Sequence, residues 1–240
     1  MTKILCLIPA RSGSKGIPHK NIKDFKGKPL LAWCIVQAKN SKYQMKIIVS
    51  TDSEKYRKIA IQYGAEAPFL RPSEISQDLS TDFECIKHTL DWLKTNEKYC
   101  PDIILHLRPT QPCRKVEDID ACLDIFINQR EKYDSLRTVV PFEKSPYKMY
   151  SITNNTLTPL FYTYKNINEP YNQCRQKLPQ CYLHNGYIDI LNAKNIDKNM
   201  LSGGKIFPYI MNKTDTIDID TNEDWEKAEN YSFISNDVLY

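Results

Sequence analysis

The chain has 240 residues, 41% of them hydrophobic, with a formal net charge of +4 from 33 basic and 29 acidic side chains. That is enough apolar material for a sizeable core in one α/β domain. The charges are dispersed without a run of five of one sign, which excludes the footprint of a nucleic-acid binder, and no stretch approaches the ~18 apolar residues of a membrane helix.

The run at 3–10, KILCLIPA, is short, continuous and apolar, as in a strand buried on both faces. Pro9, Arg11 and Lys15 break it before a signal-peptide core could form. Residues 28–41 carry apolar side chains at 30, 31, 33, 35, 36 and 38, which suits a helix opened by Pro29. KIIVSTD at 46–52 reads as a second buried strand ending at Asp52. A helix over 53–64 follows, with Ser53 as N-cap and Gly64 at its end. Residues 66–72 form a short extended piece, and 80–96 a helix capped by Ser80 or Thr81. DIILHLRPT at 102–110 is a strand, 117–129 a helix and 135–141 a strand.

This alternation argues for an α/β fold whose mostly parallel sheet is covered on both faces, a three-layer arrangement. Ligands of such sheets bind beyond the carboxyl ends of the strands, at a switch in strand order. Arg11, Asp52 and Arg108 each close a predicted strand and so share that rim. From Pro141 to about Gln180 the chain turns rich in Tyr, Asn and Pro, with Asn154–Asn155 as a hairpin turn. Strand and helix signals resume at 186–192, 204–211 and 223–231. The expectation is therefore one domain over 1–240 with an inserted arm at 141–180, whose exposed aromatics suit a dimer contact.

Four segments could carry chemistry. RSGSKGIPHKN at 11–21 matches neither GxxxxGK[ST] nor GxGxxG. It shares their physics, because glycines let backbone N–H groups approach an anion while cationic side chains neutralise it; a surface turn with solvated charges is the other reading. Asp218 and Asp220 in TIDIDT fall on one face of an extended chain. They form either a divalent-cation site completed by substrate phosphates or an acidic pair facing water or an arginine. Arg71 offers a planar fork to a base or is a surface loop residue. Arg175 can grip a carboxylate, and Asn185–Gly186 is either a close approach to a ligand or a hairpin turn. The eight cysteines make no CxxC pair or zinc spacing and the four histidines are isolated, in keeping with a reduced, cytoplasmic protein.

In chain order, IPARSGSKGIPHKN, VSTDSEKYRKIAIQYGAE, LRPSEISQD, LRPTQPCR, RQKLPQCYLHNG and DIDTNEDWEKAE together resemble the cytidylyltransferases that activate sialic and other nonulosonic acids, with the Kdo enzymes as more distant relatives. The resemblance spans almost the whole chain. It implies a GT-A-like nucleotidyltransferase fold of Rossmann-like topology and transfer of CMP from CTP to an acidic keto-sugar for cell-surface lipopolysaccharide or capsule glycans. It implies that Arg11, Lys20 and Asn21 hold the phosphates, with Ala10, Ser12, Gly13 and Ser80 beside the nucleotide, and that Arg71 reads cytosine and ribose. Asp218 and Asp220 would hold Mg²⁺, for which Mn²⁺ could substitute. Arg11, Lys20, Asp218 and Asp220 would be the catalytic set. Arg108, Thr110, Arg175, Gln176 and Asn185 would line the sugar, and the 141–180 arm would build a homodimer.

Three positions depart from the sialic-acid pattern. Arg108 stands where those enzymes commonly have Gln, Leu183 where an arginine grips the sugar carboxylate, and Asp82 where a serine follows the SQD turn. The expectation drawn from this is that Arg108 takes over the carboxylate from the other wall, and that the sugar is of legionaminic or pseudaminic type. Two rival readings remain: a glycosyltransferase using the DxD of Asp218–Asp220, and a non-catalytic nucleotide-sugar-binding protein.

Overall fold

The computed structural model describes residues 2–212 and 216–231. Its centre is a six-stranded sheet of β1 (Ile4–Pro9), β2 (Lys46–Ser50), β3 (Ile103–His106), β4 (Ser135–Phe142), β5 (Cys181–Asn192) and β6 (Ile206–Ile210), in the spatial order β6-β4-β5-β3-β1-β2. β5 runs antiparallel to both of its neighbours and the other pairings are parallel. The mostly parallel sheet is thus as expected, with one strand reversed.

The helices are α1 (Leu30–Asn40), α2 (Glu54–Gln62), α3 (Asp82–Glu97), α4 (Val116–Gln129), the single turn α5 (Lys194–Asp197) and α6 (Asn222–Glu229). Every residue of β1 but its last is buried, and its side chains alternate between two cores. Cys6 and Ile8 pack with Leu31, Ile35, Cys122 and Phe126 from α1 and α4, whereas Leu5 and Leu7 pack with Ile86 and Leu93 from α3. Burial on both faces explains why β1 reads as a continuous apolar run. A third cluster joins Phe25, Leu30 and Trp33 to Ile219 and Trp225, and so ties the end of the described chain to its beginning.

Local signals hold closely. Thr81 caps α3 in a reciprocal box with Glu84, and Gly64 ends α2 at φ 90°. Ser53 stands at the N-cap of α2 without a side-chain cap bond. Asn154 and Asn155 both have positive φ and turn the hairpin Tyr150–Thr153/Thr156–Pro159, since a two-residue loop that matches strand twist needs left-handed backbone twice. That hairpin lies in the 141–180 segment, which also holds the pair Thr163–Tyr164/Ile167–Asn168. Residues 66–72 form a short piece held by an isolated parallel bridge, Glu66 to Ile48, as expected. One expectation is corrected: the TIDIDT stretch is not part of a strand and is joined to the turn after β3 by Ile219 N–H donating to the Thr110 carbonyl. No described helix is long and apolar enough to cross a membrane. All eight cysteines are free.

Candidate active site

The carboxyl ends of β1 and β3 open into a cleft of about 420 Å³. Arg11, Lys20, Asn21, Arg71, Ser80, Arg108, Thr110 and Asp220, all singled out from sequence, line it, together with Lys15, Gln77 and Asp82.

The loop after β1 is held by its neighbours. Asn21 Nδ2 donates to the Arg11 carbonyl at 2.9 Å. Ala10 is fully buried and its N–H bonds the Ser50 carbonyl. Ser12 gives both its N–H and its hydroxyl to Asp52, each at 2.8 Å. In this structure Ala10 and Ser12 therefore shape the loop, because their donors are spent on the protein. Gly13 has open space where a side chain would be, as an anion cradle needs. Gly16 serves contact: a Cβ there would lie 2.2 Å from the Asp220 carbonyl oxygen. Arg11 and Lys15 both pair with Asp78, a residue that sequence reasoning left without a role. The two hydrogen bonds and the two cationic charges hold the Asp78 carboxyl below its ordinary range.

Lys20 connects this loop to the acidic pair. Its ammonium donates to the Ile219 carbonyl at 2.6 Å and to Asp220 at 2.9 Å, on a side chain only 10% exposed. Ile219 is fully buried between Asp218 and Asp220, which sets the two carboxylates on the outer side of one anchored segment. Loss of surrounding water raises the Asp218 pKa, and the Asp220 charge adds to it, while Thr110, Lys20 and Arg108 oppose. A carboxylate crowded by a second one, with one ammonium between the two elements, is a donor set suited to a hard divalent cation completed by phosphate oxygens. Among the described residues there is no cluster of three or more His, Cys, Asp or Glu side chains placed to hold a metal by itself.

Arg71 is 7% exposed, and its Nε and Nη2 have no hydrogen-bond partner. A buried guanidinium with unmet donors is costly by itself, and Arg71 is one of the residues that line the cleft.

The wall opposite differs from the expectation. Arg108 enters the cleft, but its Nη2 bonds Asp82 and its Nη1 bonds Asp189, both at 2.7 Å. Its terminal nitrogens are thus each engaged by a protein carboxylate, so a sugar carboxylate at Arg108 would share the guanidinium with Asp82 and Asp189. Two of the three departures from the sialic-acid pattern, Asp82 and Arg108, are partners of each other. Burial pushes the Asp189 carboxyl up, but the His184 hydrogen bond and the Arg108 charge outweigh it and hold the pKa low. Buried His106, whose Nε2 is 3.8 Å from Asp82, stays neutral, because burial lowers its pKa to about 4.

Asn185 sits in the β5 bulge between His184 and Asp189. Its side-chain oxygen accepts from Thr138 and from Tyr187 N–H, and its carbonyl accepts from Gln111. These bonds fix it within the bulge, it is not among the residues lining the cleft, and Gly186 beside it has φ 67°. Arg175 and Gln176 lie in a short helical turn of the 141–180 segment, with Arg175 in a separate small pocket with Phe142, Glu143 and Gln180. Within one chain, neither lines the cleft.

Sequence reasoning missed Asp78, Asp189, Arg137 and His184. Asp78 had a signal in the SQD turn. The other three sit mid-strand, where nothing local marks a polar residue as facing a site.

A family model described as cytidylyltransferase matches residues 5–196. The chain is 35% identical over 244 residues to CMP-N,N'-diacetyllegionaminic acid synthase of Legionella pneumophila, covering 99% of both chains. It is 35% identical over 229 residues to N-acylneuraminate cytidylyltransferase of Escherichia coli, covering 95% of this chain and 51% of that one. Its fold is like that of a CMP:2-keto-3-deoxy-manno-octonic acid synthetase solved with CTP, at TM-score 0.69 and 17% identity, covering 95% and 97% of the two chains. With a nucleotide-sized cleft at the strand ends, a glycine-bearing basic loop and an anchored acidic pair, the chain belongs to the cytidylyltransferase family.

Proposed function

We propose that this protein transfers CMP from CTP to the anomeric hydroxyl of a nine-carbon keto-acid sugar and releases pyrophosphate. The observation that supports the reading is the Lys20 link, which ties the basic loop to Asp220, both of them on the cleft, with Asp218 two residues along the same anchored segment. Full-length similarity to a legionaminic acid synthase supports a sugar of that type.

Chemically, the sugar hydroxyl attacks the α-phosphorus, the bond to the bridging oxygen breaks, and pyrophosphate leaves with that oxygen. The protein's task is alignment and charge stabilisation. Arg11, freed from Asp78, and Lys15 meet the β- and γ-phosphates. Lys20 stabilises charge on the leaving group, and Arg71 satisfies its open donors on the base. Asp218 and Asp220 would hold Mg²⁺, which supplies charge neutralisation of phosphate oxygens and acidifies a bound hydroxyl. The raised pKa of Asp218 suits a carboxylate that gains a cation only with substrate. The exposed apolar side chains of the 141–180 segment, among them Ile152, Leu157 and Phe161, support an arm that pairs two copies. Work on CTP and use of the product for surface glycans suit a cytoplasmic location.

The test is pyrophosphate release from CTP and Mg²⁺ with N-acetylneuraminate, Kdo, and legionaminic- and pseudaminic-type acids. Release with one nine-carbon acid is expected. Release with Kdo alone would move the substrate to eight-carbon acids, and CTP binding without release from any acid would favour a binding role.

A further inference from the structure

The cleft's cations are nearly all engaged by protein carboxylates. Arg11 and Lys15 hold Asp78, Lys20 holds Asp220, and Arg108 holds Asp82 and Asp189. An anionic acceptor needs a cation of its own, placed beyond the nucleotide's phosphates.

The register of the sheet supplies one. Asp189 on β5 lies opposite His106 on β3 and opposite Arg137 on β4. Residues paired across strands share a face, and Arg108 follows His106 by two. Arg108, Asp189 and Arg137 therefore form one polar row on the α3-covered face, which starts at Arg108 in the cleft lining and ends at Arg137 just beyond it. The row is continuous by contact. Arg108 Nη1 is 2.7 Å from Asp189 Oδ2, and Arg137 Nε is 3.3 Å from Asp189 Oδ1. At its other end, the Arg108 charge is felt by Asp218.

Arg137 differs from its neighbours. Its Nε is buried without a hydrogen bond, and among the described residues its two Nη atoms have no partner. Its side chain is 25% exposed, so the outer edge of the fork is reachable. Asp189 is 2% exposed and already satisfied by Arg108 and by His184 at 2.9 Å. The Arg137 charge is thus shared rather than cancelled, and a fork with two free parallel donors matches a carboxylate. Position 183, where the resemblance implies an arginine on the sugar carboxylate, holds a leucine that is 50% exposed.

We propose that Arg137 is the acceptor-binding residue, its free Nη edge taking the carboxylate of the acidic sugar while Asp189 steadies its Nε side. This rests on the transferase reading above. It also assigns Arg108 a positioning role, as the brace that keeps Asp189 in place.

The experiment uses the full chain with CTP, Mg²⁺ and the acid accepted by the unmodified protein, and compares Arg137→Gln and Arg137→Lys. The KM for the acid is expected to rise roughly 10- to 150-fold in Arg137→Gln, the scale of a lost hydrogen bond between charged groups. The KM for CTP and the melting temperature stay near those of the unmodified protein, and Arg137→Lys falls between. The unmodified protein should prefer the acid to its methyl ester, and Arg137→Gln should lose that preference. An acid KM within twofold of the original, or an intact preference over the ester, overturns the assignment. If Arg137→Gln does not fold, the lysine variant's acid-to-ester ratio decides by the same criterion. Failure of the unmodified protein to release pyrophosphate with any acid would instead overturn the transferase reading, and the inference with it.

Discussion

Replacing Arg108 with glutamine tests the logic of the pocket wall most directly. Glutamine is the residue that the sialic-acid pattern carries here, so the exchange looks conservative from sequence. The structure says otherwise. The substitution removes the shared cation from Asp82 and Asp189, whose side chains are 35% and 2% exposed, and from two contacts of 2.7 Å. Breaking a buried pair from one side costs about 3–5 kcal/mol, and because His184 and Arg137 stay beside Asp189 the lower figure, about 3 kcal/mol, applies. For a chain of this size each kcal/mol moves Tm by about 2–4 °C, so Tm should fall by roughly 6–12 °C at pH 7, with a matching drop in the urea midpoint. The pH dependence has a definite sign. The Asp189 pKa is depressed in the folded protein, so its stabilisation is present above the unfolded value near ~4 and lost as pH falls through the lower folded value. Without Arg108 that depression shrinks, so the gap between variant and parent is widest at neutral pH and narrows as the stranded carboxylates protonate. Adding Asp82→Ser to Arg108→Gln should restore part of the loss, since one of the two stranded charges is gone. A single variant within ~2 °C of the parent at pH 7, or a gap that widens on acidification, would refute this reasoning.

Three further outcomes are expected. Asp220→Asn should abolish pyrophosphate release while circular dichroism and Tm remain close to the parent; near-normal turnover would contradict the metal assignment. Arg11→Ala should lower kcat by about 10²–10³, the scale of a lost transition-state donor, and steady-state kinetics showing a change only in the KM for CTP would argue against that role. Gly16→Ala places a Cβ 2.2 Å from the Asp220 carbonyl oxygen. The acidic pair must then shift at a strain of about 1–3 kcal/mol, and turnover should drop at least ~10-fold; unchanged kinetics would mean that this contact does not position the pair.

Several readings were legible because their causes are local. β1 announces itself through a run buried on both faces, α3 through the Thr81–Glu84 box, and the hairpin at 150–159 through Asn154–Asn155. The basic loop and the acidic pair were legible as compositions, and the family resemblance joined them before any contact was known. The expected strand at 216–221 is missing, because that stretch is held by a backbone bond to Thr110 and by buried Ile219 rather than by a strand partner, yet the two carboxylates still share the outer side.

By itself, then, the sequence determined the order and type of the elements, the sheet class and the chemical character of the nucleotide end, since backbone periodicity, caps and turn residues act over a few positions. Only the tertiary structure decided how charges pair across long separations: Lys20 with Asp220, Arg11 with Asp78, and Arg108 with both Asp82 and Asp189. That Arg108 is engaged and Arg137 is open depends on strand register across β3, β5 and β4. A shift of one residue turns a strand's side chains to the opposite face, and the register is set by packing over the whole sheet rather than by any neighbouring residue.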